Sequence, residues 1–173
     1  MLSCAVALQA ASPATASDCR DQDLVLDAFN VKQIRAATRC LINDEREARG
    51  RQPVAANREL RLAGERYSRL MVRERFYAHV SPGGSTVLAR VRRTSYLDGG
   101  GKFLLGENLG FGVGESATPR GLIRAWMASA SHRTHILNGR YRDVGVGVAR
   151  GTPEAGGTDG ATYSVVFGRR NAR

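Results

Sequence analysis

The sequence predicts a mixed α+β or sandwiched domain, and three observations predict it. Apolar residues at helical spacing dominate the first half of the chain. The clearest period-two runs, Val144-Gly-Val-Gly-Val148 and Tyr163-Ser-Val-Val-Phe167, come near its end. No internal repeat joins them into successive βαβ units. The length of 173 residues suits one domain with a short extension, large enough to bury a core. A hydrophobic fraction of 42% and a charged fraction of 24% are those of a globular chain and exclude wholesale disorder. No apolar run reaches the 18 residues or so that a membrane-spanning helix needs. The formal net charge is +10, and all the basic residues except Lys32 and Lys102 are arginine. Such a charge raises nucleic acid as a first candidate partner.

Residues 1–16 carry no charge and are rich in Ala, Leu and Val, ending in the small-x-small tripeptide Ala14-Thr15-Ala16. They read as a secretory signal cut after Ala16, whole or shortened, the alternative being an unstructured Ala/Ser-rich start. Leu2-Ser3-Cys4 has the shape of a lipoprotein signal end, but little apolar sequence precedes it. Removal of Cys4 leaves Cys19 and Cys40, an even pair in an exported chain. A disulfide between them would close a loop of roughly 20 residues and add about 3 kcal/mol. Two free thiols are the other possibility. Residues 17–30 form a polar arm.

Residues 31–49 read as a helix through Ile34, Ala37 and Leu41, with Gly50 as its stop. A second helix over 59–76 places Leu60, Ala63, Tyr67, Leu70 and Met71 inward, with Arg61, Glu65, Arg69, Arg73 and Glu74 elsewhere. His79 to Ser85 is a turn, and Ser85 can cap a third helix running to Tyr96. Residues 98–102 form a loop. Leu104 to Gly112 is extended and interrupted by glycine. Thr118-Pro119 starts a fourth helix, which buries Leu122, Ile123, Trp126 and Met127. A long loop rich in Gly and Thr joins the two final strands.

Three segments set an acid/base or metal-ligating residue among small turn-forming ones: Phe76-Tyr-Ala-His79-Val-Ser-Pro, Gly106-Glu107-Asn108-Leu109 and Trp126-Met-Ala-Ser-Ala-Ser-His132-Arg133. In this order, with Cys40-Leu-Ile-Asn43-x-x-Arg46 before them and Val144-Gly-Val-Gly-Val148 after, the chain resembles the CAP superfamily. That superfamily holds the cysteine-rich secretory proteins, antigen 5 and the plant pathogenesis-related proteins, and its domain is also called SCP. The resemblance covers residues 39–168, is nearest the bacterial extracellular branch, and implies that residues 31–170 form the domain. It implies a three-layer α-β-α sandwich with a central, mostly antiparallel sheet. It also implies a surface cleft lined by two histidines and two acids. His79, Glu107 and His132 match three of those positions. The second acid is missing, because Trp126 is followed by Met127, Ala128 and Ser129. Tyr67 stands where bacterial relatives often carry His, and His135 where they often carry Asn. The resemblance leaves His135 outside the cleft, as a surface or structural residue, and Tyr67 reads as core.

Two imidazoles and a carboxylate can form a three-ligand site for a divalent ion such as zinc, with open positions. They can equally act as a polar scaffold, with Asn108 tying its loop through its amide. Two functions compete. The first is a secreted or envelope-associated binding module, working as a monomer. Its cleft of His79, Glu107, His132 and Asn108 would take a small hydrophobic or envelope-derived ligand or a divalent cation. The second is a hydrolase of the cell envelope, peptidase-like, in which His79, Glu107 and His132 act with a metal or as a His/Glu general base. No Gly-x-Ser-x-Gly elbow exists to supply a serine nucleophile. Export and the absence of any recognisable nucleic-acid motif turn the positive charge towards an anionic envelope polymer or lipid instead.

Overall fold

The computed structural model describes residues 19–154 and 160–171. The signal reading of residues 1–16, Cys4 and the middle of the last hairpin loop lie outside the described residues. The elements, in chain order, are α1 (Val31–Glu47), β1 (Ala55–Ala56), α2 (Arg58–Glu74), α3 (Val87–Val91), β2 (Phe103–Val113), α4 (Pro119–Ala128), α5 (Ala130–Leu137), β3 (Asp143–Arg150) and β4 (Gly160–Arg170).

α2, α3 and α4 begin where a side chain satisfies their first amides. Asn57 accepts from the amides of Glu59 and Leu60 at the start of α2. Thr118 accepts from Gly121 at the start of α4, with Pro119 in the first turn. The third helix departs from the sequence expectation. It is five residues long and capped by Thr86, not Ser85. Thr94 donates its hydroxyl to the Val91 carbonyl and accepts from the Tyr96 amide, which starts a separate 3-10 turn at Ser95–Leu97. Met127 is only partly buried against the core, whereas Leu122, Ile123 and Trp126 are fully inside.

The sheet runs β1-β3-β4-β2. β1 pairs parallel with β3, and the other two pairings are antiparallel, so the sheet is mostly antiparallel. It lies between two helical layers, α2 with α3 on one face and α1, α4 and α5 on the other. The pattern Val144-Gly-Val-Gly-Val148 decides how the layers fit. Its valines build the main core with Ile34, Leu41 and Trp126. Its glycines face α2 and let the two backbones nearly touch. A Cβ on Gly147 would fall 2.1 Å from the carbonyl carbon of Gly64, and one on Gly64 would fall 2.3 Å from the carbonyl oxygen of Ser164.

Two further ties set the frame. Cys19 and Cys40 form a disulfide that pins the N-terminal arm to α1. Arg46, wholly buried, donates to the carbonyls of Gln52, Ile136 and Asn138. It thereby fixes the C-terminal end of α5, the helix that carries His132 and His135. Asn43 clamps Val54 through both its amide atoms.

Candidate functional site

β2 is an edge strand, and its period of two sorts its residues between the layers. Glu107 and Leu109 face α2 and α3, where Leu109 packs with Tyr67 and Met71. Gly106, Asn108 and Gly110 face α4 and α5. Gly110 lies under Leu122 and Trp126, and a Cβ on Gly106 would strike Tyr141 and His135. Glu107 and Asn108, adjacent in sequence, therefore serve opposite faces.

The Glu107 side chain is 2% exposed. Arg90 Nη2 donates to both its oxygens, at 2.8 and 2.9 Å, and Ser164 donates to Oε1 at 2.9 Å. His79 Nδ1 lies 2.9 Å from Oε2. A buried charge needs such compensation, and here three groups supply it. Arg90 is itself held on all sides. Its other nitrogen, Nη1, donates to the carbonyls of His79 and Ser85, and its guanidinium lies 3.3 Å above the Tyr67 ring. Tyr67, in the core as the helical stripe requires, donates its hydroxyl to the Ala78 carbonyl. Arg90 and Tyr67 together fix the turn that presents His79.

The charge of Glu107 sets the tautomer of His79. A carboxylate only accepts, so Nδ1 carries the proton and donates it to Glu107. In the neutral ring Nε2 then keeps its lone pair, on a side chain that is 59% exposed. Beside it lies an apolar shelf. Tyr77 and Phe111 meet edge to face at 4.9 Å, and Tyr77 and Val80 are exposed. Burial, and then the charge of Glu107, pushes the Tyr77 hydroxyl above its ordinary pKa.

His132 approaches from α5. Its ring centroid lies 6.2 Å from that of Trp126, whose indole donates to the Leu109 carbonyl. The fully buried Asn108 donates its amide to the His132 carbonyl, which locks the start of α5 to β2. His132 Nδ1 is buried and has no hydrogen-bond partner. Burial, then the charges of His79 and His135, holds the His132 pKa below its usual value. His135 lies closer to this group than the sequence indicates. Its Nδ1 is 3.2 Å from the Tyr141 hydroxyl, against Gly106. Its pKa too is held down by burial and by His79, with Glu107 pulling the other way. All three histidines of the chain thus gather around one stretch of β2.

The donor set bears on metal binding. The lone pairs of Glu107 are taken by Arg90, Ser164 and His79. The donor atoms of His79, Glu107 and His132 do not all lie within 4.8 Å of one another. Among the described residues only Cys19, Cys40 and Asp44 do, and those two sulfurs are joined to each other. Glu107 therefore stands behind His79, as an orienting partner, with the exposed His79 ring in front of it.

Three members of the network escaped the sequence reading: Arg90, Ser164 and the stacked role of Tyr67. Ser164 had a signal, since it is the small polar residue in the otherwise apolar run Tyr163–Phe167. Arg90 had none, because one arginine among many on a short helix looks like a solvated charge.

A helix–sheet–helix sandwich of this topology, with His79 and Glu107 paired at one sheet edge, is the arrangement of a CAP/SCP domain. The profile described as "CAP: Cysteine-rich secretory protein family" matches residues 40–167, and the chain belongs to that family. An uncharacterized protein of Bacillus subtilis, YkwD, is 30% identical over 109 residues, which is 62% of this chain and 39% of that protein. An extracellular SCP-domain protein of Bacillus anthracis superposes with a TM-score of 0.65 at 23% identity, covering 84% of this chain and 44% of its own. An outer surface protein of Borrelia burgdorferi gives 0.67 at 19% identity, covering 86% of this chain and 99% of its own. The chain thus spans about two fifths of the Bacillus subtilis relative. These structural likenesses establish the fold.

Proposed function

We propose that the chain is an exported CAP domain that acts, as a monomer, as an extracellular binding module. Its cleft takes a small amphipathic or envelope-derived ligand, and its basic surface holds it on an anionic envelope polymer or lipid. The observation that carries this reading is the exposed His79 imidazole on a buried Glu107–Arg90 platform, next to the aromatic shelf of Tyr77 and Phe111. A ligand's polar end would meet Nε2 of His79 and the His132 ring, and its apolar part would cover the shelf. A disulfide and the extracellular descriptions of similar structures support export. Titration with cis-parinaric acid, an amphipathic fluorescent probe, tests it. Saturable binding that weakens at least tenfold in both His79→Ala and Tyr77→Ser supports the reading. No saturable binding to the wild-type chain overturns it.

A divalent ion such as zinc would be held by His79 Nε2 and by His132, with Glu107 fixing the His79 ring. The ion would supply Lewis acidity at the cleft mouth. Calorimetric titration with zinc against His79→Ala and His132→Ala tests that set of ligands. One observation favours hydrolysis as the second reading: Glu107 orients His79 as a general base is oriented, with Nε2 free to accept a proton from water. Turnover of a peptidoglycan or peptide substrate, lost in His79→Ala with the fold intact, would establish it.

A further inference from the structure

The opposite edge of the sheet carries a second feature, which the cleft does not use. Two cavities of about 510 Å³ and 400 Å³ lie end to end between α1 and α2 and share Arg35. Val144, Val146 and Val148 contribute an apolar floor. Seven arginines line the two cavities against two acids, Asp27 and Glu65. Glu65, 12% exposed in its side chain, already serves three of them: Arg35 at 2.8 Å, Arg61 at 2.6 Å and Arg69 at 2.5 Å. One negative charge thus faces three positive ones. Arg39 and Arg150 have no acidic partner within ion-pair distance among the described residues. Arg35 is held below its ordinary pKa by burial, with Glu65 pulling the other way and Arg61 and Arg69 pushing in the same direction. The groove carries positive charge that its own carboxylates leave unbalanced.

The residues are also spaced for a repeating ligand. Arg61, Glu65, Arg69 and Arg73 follow one another at four-residue intervals along α2, about 6 Å apart at the helical rise. Arg35 and Arg39 repeat that interval on α1, across the groove. Guanidinium forks grip oxyanions through paired hydrogen bonds, which a lysine row would not do. No aromatic side chain lines either cavity, so nothing there stacks on a nucleobase.

We propose that the α1–α2 groove binds a linear, base-free polyanion, an oxyanion repeated along a flexible chain of phosphodiester or uronate units. The proposal rests on the reading of this protein as a binder of anionic envelope polymer, and assigns that contact to one surface. The groove lies across the sheet from His79, so the two sites can be filled together.

The test is binding of the full chain to poly(glycerol phosphate) and to polygalacturonate across a salt series, followed by fluorescence anisotropy. Poly(dT) is the nucleic-acid control. Arg39→Gln/Arg73→Gln/Arg150→Gln removes three groove charges without touching the Glu65 cluster. Arg92→Gln/Arg93→Gln/Arg140→Gln removes three exposed charges elsewhere. The groove variant should weaken polymer binding at least tenfold and flatten its salt dependence, the other variant less than twofold. The polymer bound more tightly identifies the unit, phosphodiester or uronate. Equal losses in the two variants overturn the groove while leaving the envelope-polymer reading standing. Tighter binding of poly(dT) than of either polymer overturns the base-free ligand. No binding of either polymer at low salt overturns the envelope-polymer reading itself, and the groove with it.

Discussion

The two edges of the sheet handle charge in opposite ways. At the β2 edge a single carboxylate is buried and its oxygens are fully occupied, so that one oriented imidazole points outward. At the β3 edge one carboxylate is shared among three guanidiniums, and positive charge is left over. At the first edge burial holds His132 and His135 below their ordinary pKa, whereas the second edge carries the permanent charge of guanidiniums. One helix serves both. Its Glu65 staples α1 across the β3 edge, and its Tyr67 supports Arg90 on the other side.

The largest effect should come from breaking the buried pair. Arg90→Ala takes the fixed cation from the buried Glu107, leaving it only Ser164 and His79, and should cost about 3–5 kcal/mol in urea unfolding. Replacing both partners, as Arg90→Met/Glu107→Leu, should recover much of that loss while His79 loses its fixed orientation. The arm comes next. Cys19→Ser/Cys40→Ser should lower stability by about 3 kcal/mol. Its effect should fall on the groove, whose wall includes Leu26 and Ala28, and spare the bond between His79 and Glu107. Proton spectra of the His79 ring in oxidised and reduced protein check that separation. Gly64→Ala perturbs both edges at once, because α2 must move off the sheet. It should cost about 1–3 kcal/mol by thermal unfolding and weaken ligand binding at either edge.

The smallest effect separates the edges by pH. His132 and His135 have folded pKa values below the unfolded value of about 6.5, so the unfolded chain binds protons first. Stability contributed by their neutral forms is complete above that value and is lost as the pH falls below it. His132→Gln/His135→Gln should flatten the decline of melting temperature between about pH 7 and pH 5. The groove triple variant should leave that decline as it is.

Much of this frame is legible in the sequence because it is local. The stripe of Ile34, Ala37 and Leu41, the Thr118-Pro119 start and the Val-Gly alternation each express a period that burial enforces. The cysteine pair follows from counting. The network around Glu107 is not local. Arg90 is 17 residues from Glu107 and Ser164 is 57 away, and only the folded sheet brings them together. The opposite placement of Glu107 and Asn108 is different, since strand periodicity already contains it. The motif Gly-Glu-Asn-Leu invites the two to be read as one cleft, when a strand must divide them. His135, three residues past His132, reaches the same neighbourhood through Gly106, where the absence of a side chain makes room.

Glu107 holds the neutral His79 ring as the Nδ1–H tautomer. Long-range ¹H–¹⁵N correlation spectra of the neutral His79 ring test it most directly. A proton on Nδ1, lost as the fixed tautomer in Glu107→Leu, is the predicted result. A proton on Nε2 in the wild-type protein would contradict the account.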